Sequence, residues 1–192
     1  MEELSGSPSE ARRFSWDLAL VVIIVMLVVI AVRLFVVQPF FVRGASMEPS
    51  FHNGDYLLVD ELSPRFSSVD RGDVVIFRFV SSGASSGEFY IKRVIGLPGE
   101  TVRVEDGVVT VINGEHPEGF ALEEPYVAGE TVGSAHVRLG AGEYFVLGDN
   151  RDASYDSRSW GALSKEAVIG KVLLRAWPLE QMSLFEGPQY SI

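Results

Sequence analysis

The stretch VRGASMEPSF, Val42 to Phe51, surrounds one serine with the neighbours a nucleophile needs. Gly44 and Ala45 permit close backbone approach, and Pro49 fixes a turn, so Ser46 can stand exposed beside a free backbone N–H. A serine hydroxyl is a poor nucleophile until a base lies within about 3 Å. Serines in such loops more commonly cap a turn or a helix, so the base decides the matter.

Histidine is the usual base, but His52, His116 and His136 all sit in polar or turn-like sequence with no orienting pattern beside them. Residues of that kind are more commonly exposed on the surface. There is no H-E-x-x-H or other clustered ligand spacing, so a metal site is not expected, and acyl transfer by a base-activated serine needs no metal or organic cofactor.

Lys92 is a different candidate. It lies in EFYIKRVIGLPGE, where strand alternation puts Tyr90, Lys92 and Val94 on one face and Ile91, Arg93 and Ile95 on the other. One of the two adjacent cations must therefore point to the more buried side. A lysine desolvated against apolar neighbours loses its proton readily and can then accept one from a serine, which arginine cannot do. The chain holds only three lysines, Lys92, Lys165 and Lys171, against thirteen arginines, so a lysine here is a candidate for a chemical choice. A solvated strand lysine or a salt-bridge partner is the ordinary alternative.

A third constellation is LGDNRDASYDSRSWG, Leu147 to Gly161, where Asp149, Arg151, Asp152, Asp156 and Arg158 crowd among Ser154, Ser157 and Ser159. Such sequence makes a well-capped surface turn. It also suits a rigid wall in which carboxylates and arginines pair off while a serine hydroxyl orients the Lys92 amine.

The elements that would position these residues are mostly strands. DYLLVD, DVVIFRFV, EFYIKRVIG, TVRVEDGVVTVING, HVRLGAGEYFVLGD and IGKVLLRAW are β-branched and aromatic runs bounded by Gly, Pro, Asp and Asn. The Asp106-Gly107 pair predicts a hairpin, and Asn113-Gly114 a second turn. Ser81 to Glu88, SSGASSGE, predicts a flexible connector with no phosphate-loop lysine. One short helix is expected over Ser164 to Gly170, with Ser164 as its cap. Asn113 to His136 is acidic, glycine-rich and weakly periodic, and reads as a looser excursion.

Before the strands comes LALVVIIVMLVVIAV, Leu18 to Val32, fifteen apolar residues without interruption; Leu34 to Val37 extend the run past Arg33. Twenty residues at about 1.5 Å each span ~30 Å, a bilayer core. Trp16, Phe40 and Phe41 stand where interfacial aromatics would, and Arg33 can snorkel. A cleaved signal peptide and a buried core helix compete with the anchor, but bulky RLFVVQPFF follows and no polar residue interrupts the run. Arginines flank it on both sides, Arg12 and Arg13 before and Arg33 and Arg43 at or after it, so charge alone does not orient it. The formal charge of −10 argues against a nucleic-acid surface, and the absence of cysteine excludes disulfides, thiolate metal sites and a thiol nucleophile.

The order apolar span, GASMEPSF, RGDVVIFRF, YIKRVIGLPGE, LGDNRDASYDSRSWG resembles bacterial type I signal peptidase, a membrane-bound Ser/Lys protease, over nearly the whole chain after Trp16. The resemblance implies a mainly β fold: a transmembrane helix over residues 17–37, then an antiparallel β-sheet catalytic domain over 38–192 with a smaller cap-like lobe at about 106–146. It makes Ser46 the nucleophile, Lys92 the general base and Ser154 the residue that hydrogen-bonds the Lys92 amine. Asp149, Arg151, Asp156 and Arg158 would brace that loop. Gly44 stands where many members carry a serine that helps bind the oxyanion, which leaves backbone, chiefly the Ser46 N–H, for that role. Ser50, Phe51 and Ala153 also depart from the usual threonine, leucine and asparagine, and none of these changes removes a proton-transferring group.

The resemblance further implies cleavage of exported preproteins after small residues at −3 and −1, through an acyl-enzyme. It places the domain on the outer face of a bacterial cytoplasmic membrane, single-pass, with residues 1–16 inside, beside the bilayer and the translocation machinery. Phe40 and Phe41, with Met47 or Phe51, would then lie near lipid. The mitochondrial branch of the family also uses lysine and stays open. Two other readings compete: a membrane-anchored β-domain that binds partners without chemistry, and a self-cleaving Ser/Lys regulator, which the span and the absence of a helix-turn-helix pattern disfavour.

Overall fold

The computed structural model describes residues 8–35, 37–80, 87–188 and 190. The connector expected at Ser81–Glu88 therefore lies, except for Gly87 and Glu88, outside the described residues, as do the first seven residues of the expected tail.

Two compact units result, residues 1–37 and 38–192. The first is helix α1 (Pro8–Phe35). Proline suits a first helical position because its missing N–H would have had no partner there. The side chains of α1 are described over residues 16–29, about 21 Å of helix, and every one of them is exposed. Among the described residues no helix is long and apolar enough to cross a membrane.

The second unit is mainly β. In chain order it holds β1 (Val37–Phe41), β2 (Tyr56–Asp60), α2 (Ser63–Phe66), β3 (Val74–Phe79), β4 (Glu88–Gly96), β5 (Thr101–Glu105), β6 (Val108–Ile112), β7 (Phe120–Ala121), β8 (Ala135–Arg138), β9 (Glu143–Leu147), α3 (Ser157–Trp160), β10 (Leu163–Ser164), β11 (Val168–Trp177) and β12 (Ser183–Leu184). The main sheet runs β1-β2-β11-β3-β4-β9-β10, with β12 paired to β11, and a smaller sheet runs β7-β6-β5-β8. The smaller sheet begins at Thr101, before the expected lobe boundary, because β5 supplies one of its two inner strands. β5 and β6 meet at Asp106 and Gly107, both with positive φ (49° and 79°), as the Asp-Gly signal predicts. At the second turn the Asn113 side chain accepts from the backbone N–H groups of Glu115 and His116.

The helix expected over Ser164–Gly170 is corrected to a single 3-10 turn, Lys165–Ala167. Val168 to Lys171 instead pair with β3, and β11 goes on to pair with β2, so the sheet claims residues whose local pattern was helical. Tertiary pairing overrides a weak local propensity here.

Both faces of the main sheet are covered. Val74 and Ile76 of β3 join a cluster with Val42, Met47, Phe51, Leu57, Val59 and Val172. Val75 and Phe77, pointing the other way, join Val69, Val94, Tyr144, Val146 and Leu163. Met47 and Phe51 are 1% and 2% exposed, which corrects their placement near lipid. They anchor the turn that carries Ser46, each burial stabilising it by about 2 kcal/mol.

Candidate active site

Ser46 sits in the turn between β1 and β2. Glu48 N–H donates to the Ala45 carbonyl and Phe51 N–H to the Met47 carbonyl, which winds the segment tightly. Gly44 has φ +88°, open to glycine at little cost, and its N–H donates to Asn53 Oδ1 at 3.0 Å. The Ser46 N–H donates to no group among the described residues.

Lys92 comes from β4, and its Nζ lies 2.9 Å from Ser46 Oγ and 3.0 Å from the Ile91 carbonyl oxygen. The residue is 4% exposed. Burial brings its pKa from the ordinary 10.5 down to about 8; the negative fields of Asp156 and Asp149 oppose that fall, and the Arg158 charge assists it. A lysine of that kind accepts a proton near neutral pH, whereas one in water does not.

Alternation predicts that one of Lys92 and Arg93 is buried, and both are. Arg93, 2% exposed, can lie inside because it is matched: Nε and Nη2 donate to the two Asp149 oxygens at 2.8 and 2.6 Å, and Nη1 donates to the Gly72 carbonyl at 2.9 Å. Nη2 also reaches Ser50 Oγ at 3.2 Å, in the Ser46 turn. Such a bidentate pair offsets the desolvation of both charges.

The loop after β9 forms the next wall. Arg158 and Asp156 pair within it, Nε to Oδ1 at 2.8 Å and Nη2 to Oδ2 at 2.9 Å. Burial works against ionisation of Asp156, but Arg158 and the Gly148 N–H outweigh it and hold the carboxyl below its usual pKa. Two further charges reach out of the loop: Asp149 to Arg93, and Arg151 to Glu124 of the β7–β8 connection. Ser154 Oγ is buried and meets no partner at hydrogen-bond geometry, while the described partners of Lys92 Nζ are Ser46 and Ile91. Asn150 N–H donates to the Ser46 carbonyl at 3.1 Å, so the loop holds the nucleophile's backbone directly.

Gly148 makes that contact possible, and the motif-based reading passed over it. A β-carbon there would collide with the Ser154 side chain and lie 2.5 Å from the Ser46 carbonyl oxygen. Its only sequence signal was the glycine that opens GDNRD. Asn53, Glu124 and Tyr126 were also missed, since nothing local marks a side chain whose partner is far along the chain. His52, His116 and His136 take no part in the hydrogen bonds of Ser46 or Lys92 among the described residues.

The dyad opens into a groove of about 770 Å³ walled by Phe40 to Ser46 on one side and Glu88 to Lys92 on the other, with Tyr155 at its rim. Residues 88–92 of β4 pair with β3, while β9 pairs with β4 only from Arg93 onward, so the groove-side edge of β4 is unpaired among the described residues.

The sequence profile of the signal peptidase, peptidase S26 family matches residues 15–177. The chain belongs to that family. It is similar to a probable signal peptidase I-2 of Synechocystis, 33% identical over 188 residues, covering 96% of this chain and 84% of that protein. A signal peptidase I of Leptolyngbya laminosa is 35% identical, covering 83% and 78%. One of Bacillus licheniformis is 33% identical, covering 95% and 98%. A crystal structure of a signal peptidase I from Enterococcus faecalis, 29% identical, covers 55% of this chain and 97% of its own, with a TM-score of 0.44. With this many relatives of one kind along nearly its full length, the protein is a type I signal peptidase, a serine endopeptidase.

Proposed function

We propose that Ser46 and Lys92 form the dyad of this peptidase and remove signal peptides from exported preproteins by acyl transfer. The 2.9 Å approach of a buried lysine amine to a serine hydroxyl, both lining an open groove, carries the reading. Neutral Lys92 takes the Ser46 proton as Oγ attacks the scissile carbonyl; the amine then protonates the departing nitrogen, and in the second half activates water against the acyl-enzyme. The Ser46 N–H, which donates to no group among the described residues, stabilises the oxyanion. Ser154 orients Lys92 when its unpaired hydroxyl turns to the amine, while Asp149, Arg151, Asp156 and Arg158 fix the loop that carries it.

The preprotein lies as an extended strand against the unpaired edge of β4, with small side chains at −3 and −1 facing the groove walls. Residues 17–37 span the bacterial cytoplasmic membrane, residues 1–16 lie inside, and residues 38–192 act on the outer face, beside the translocation machinery. The uninterrupted apolar sequence of Leu18 to Val32 supports this. So does an exposed aromatic group in the second unit, where Phe41 packs on Tyr56 at 5.0 Å and Tyr56 pairs in register with Trp177.

The test incubates the detergent-solubilised protein and its Ser46→Ala and Lys92→Ala forms with a preprotein carrying an Ala-x-Ala site, and sequences the new N-terminus. Cleavage after the last alanine that both substitutions abolish is expected. Undiminished cleavage by either folded variant rejects the dyad.

A further inference from the structure

The smaller lobe has no side chain in the groove, yet it touches both supports of the dyad. Those supports are Arg93, adjacent to Lys92 and bonded to Ser50, and residues 148–151, which hold the Ser46 carbonyl through Asn150. Each presents a buried guanidinium to the segment between β7 and β8. Arg151, 1% exposed in its side chain, donates from both terminal nitrogens to Glu124 and from Nε to the Gly148 carbonyl at 3.1 Å. The Arg93 guanidinium lies 4.0 Å from the centre of the Tyr126 ring. Tyr126 Oη donates to Glu124 Oε1 at 2.9 Å and lies 3.0 Å from Tyr190 Oη, so the two contacts form one unit.

We propose that Glu124 and Tyr126 are positioning residues that clamp Arg151 and Arg93 and so set the distance between Ser46 and Lys92. The inference rests on the dyad reading. Without Glu124, Arg151 would be a buried charge with no carboxylate; it would move toward water and draw the Gly148 carbonyl and the Asn150 N–H with it. Without the Tyr126 ring, one face of the Arg93 guanidinium loses its cover, and β4 loses its grip on the Ser50 end of the nucleophile turn. Neither residue lines the groove, so the loss falls on the chemical step and leaves substrate binding intact. A displacement of about 1 Å between reacting groups costs up to ~100-fold in rate.

The experiment measures kcat and KM on a preprotein peptide for the full-length protein in detergent, per folded molecule as judged by thermal melts. The set is Glu124→Gln, Tyr126→Leu, Tyr126→Phe, the exposed lobe control Glu118→Gln, and Ser46→Ala and Lys92→Ala. Expected are a kcat lowered about 10- to 100-fold in Glu124→Gln and Tyr126→Leu with KM within about twofold, and wild-type values in Glu118→Gln. Tyr126→Phe keeps the ring over Arg93 and loses only the hydroxyl bonds, so its kcat falls about threefold. Unchanged kcat in folded Glu124→Gln and Tyr126→Leu overturns the proposal, as does a loss that appears in KM instead. If those two do not fold, Tyr126→Phe decides alone, and a wild-type kcat there overturns it. Cleavage surviving in Ser46→Ala or Lys92→Ala would reject the dyad itself; inactive dyad variants beside fully active Glu124 and Tyr126 variants reject only the clamp.

Discussion

If Lys92 is the base, burial that pulls its pKa from 10.5 down to about 8 gives the pH dependence of cleavage a definite shape. At pH 7 a lysine of pKa 8 is about one tenth neutral, and burial has raised its supply of base about 300-fold over a lysine in water. The rate constant kcat/KM should therefore climb about tenfold per pH unit below pH 7 and level off above about 8.5. Initial rates from pH 5.5 to 10.5, with melts to mark where the protein stays folded, give the profile directly. With only three lysines in the chain, 13C-labelled lysine in the inactive Ser46→Ala form lets the Lys92 resonance be assigned by its loss in a Lys92→Met form.

The same shift acts on stability. A fall from 10.5 to about 8 corresponds to roughly 3 kcal/mol. Between those values the unfolded chain binds more protons than the folded one, so stability rises with pH across that window, and below pH 8 the whole penalty is present. Lys92→Met removes the penalty at neutral pH and loses two hydrogen bonds of about 1 kcal/mol each. The inactive variant should then be more stable at pH 7 by about 1 kcal/mol. A rate still rising tenfold per unit at pH 10, or a Lys92 resonance titrating at 10.5 in folded protein, would refute the desolvated base.

Gly148→Ala should lower kcat by about 100-fold or more, because its β-carbon must displace Ser154 or the Ser46 carbonyl; wild-type cleavage rates would mean the contact does not matter. Asp149→Asn leaves Arg93 charged and buried without its carboxylate, a cost of about 3–5 kcal/mol. Its melting temperature should drop by roughly 10 °C, and a drop of only a degree or two would show that Arg93 finds other partners.

Read alone, the sequence located most of the strands, because β-branched runs bounded by Gly, Asp and Asn are a local signal, and the Asp106-Gly107 turn formed where its dipeptide required. It failed at Ser164–Gly170, where a capped, helix-like pattern gave way to pairing with β3, a partner about ninety residues earlier. The resemblance put Met47 or Phe51 near lipid, and both are covered, since a turn's sequence does not reveal which side chains a neighbouring sheet will cover.

At the site the division is the same. Residue type made Ser46 and Lys92 candidates, since a lysine in an apolar strand and a serine beside glycine and proline each carry their chemistry in the side chain. The sequence also determined the supporting loop as a dense set of charges, and pairing of Asp156 with Arg158 was within its reach because they are two residues apart. Only the tertiary structure decided that Asp149 belongs to Arg93 and Arg151 to Glu124, that Lys92 is dry, and that its amine stands 2.9 Å from Ser46. Burial and long-range pairing are properties of the packed sheets, and it is burial that turns an ordinary lysine into a base.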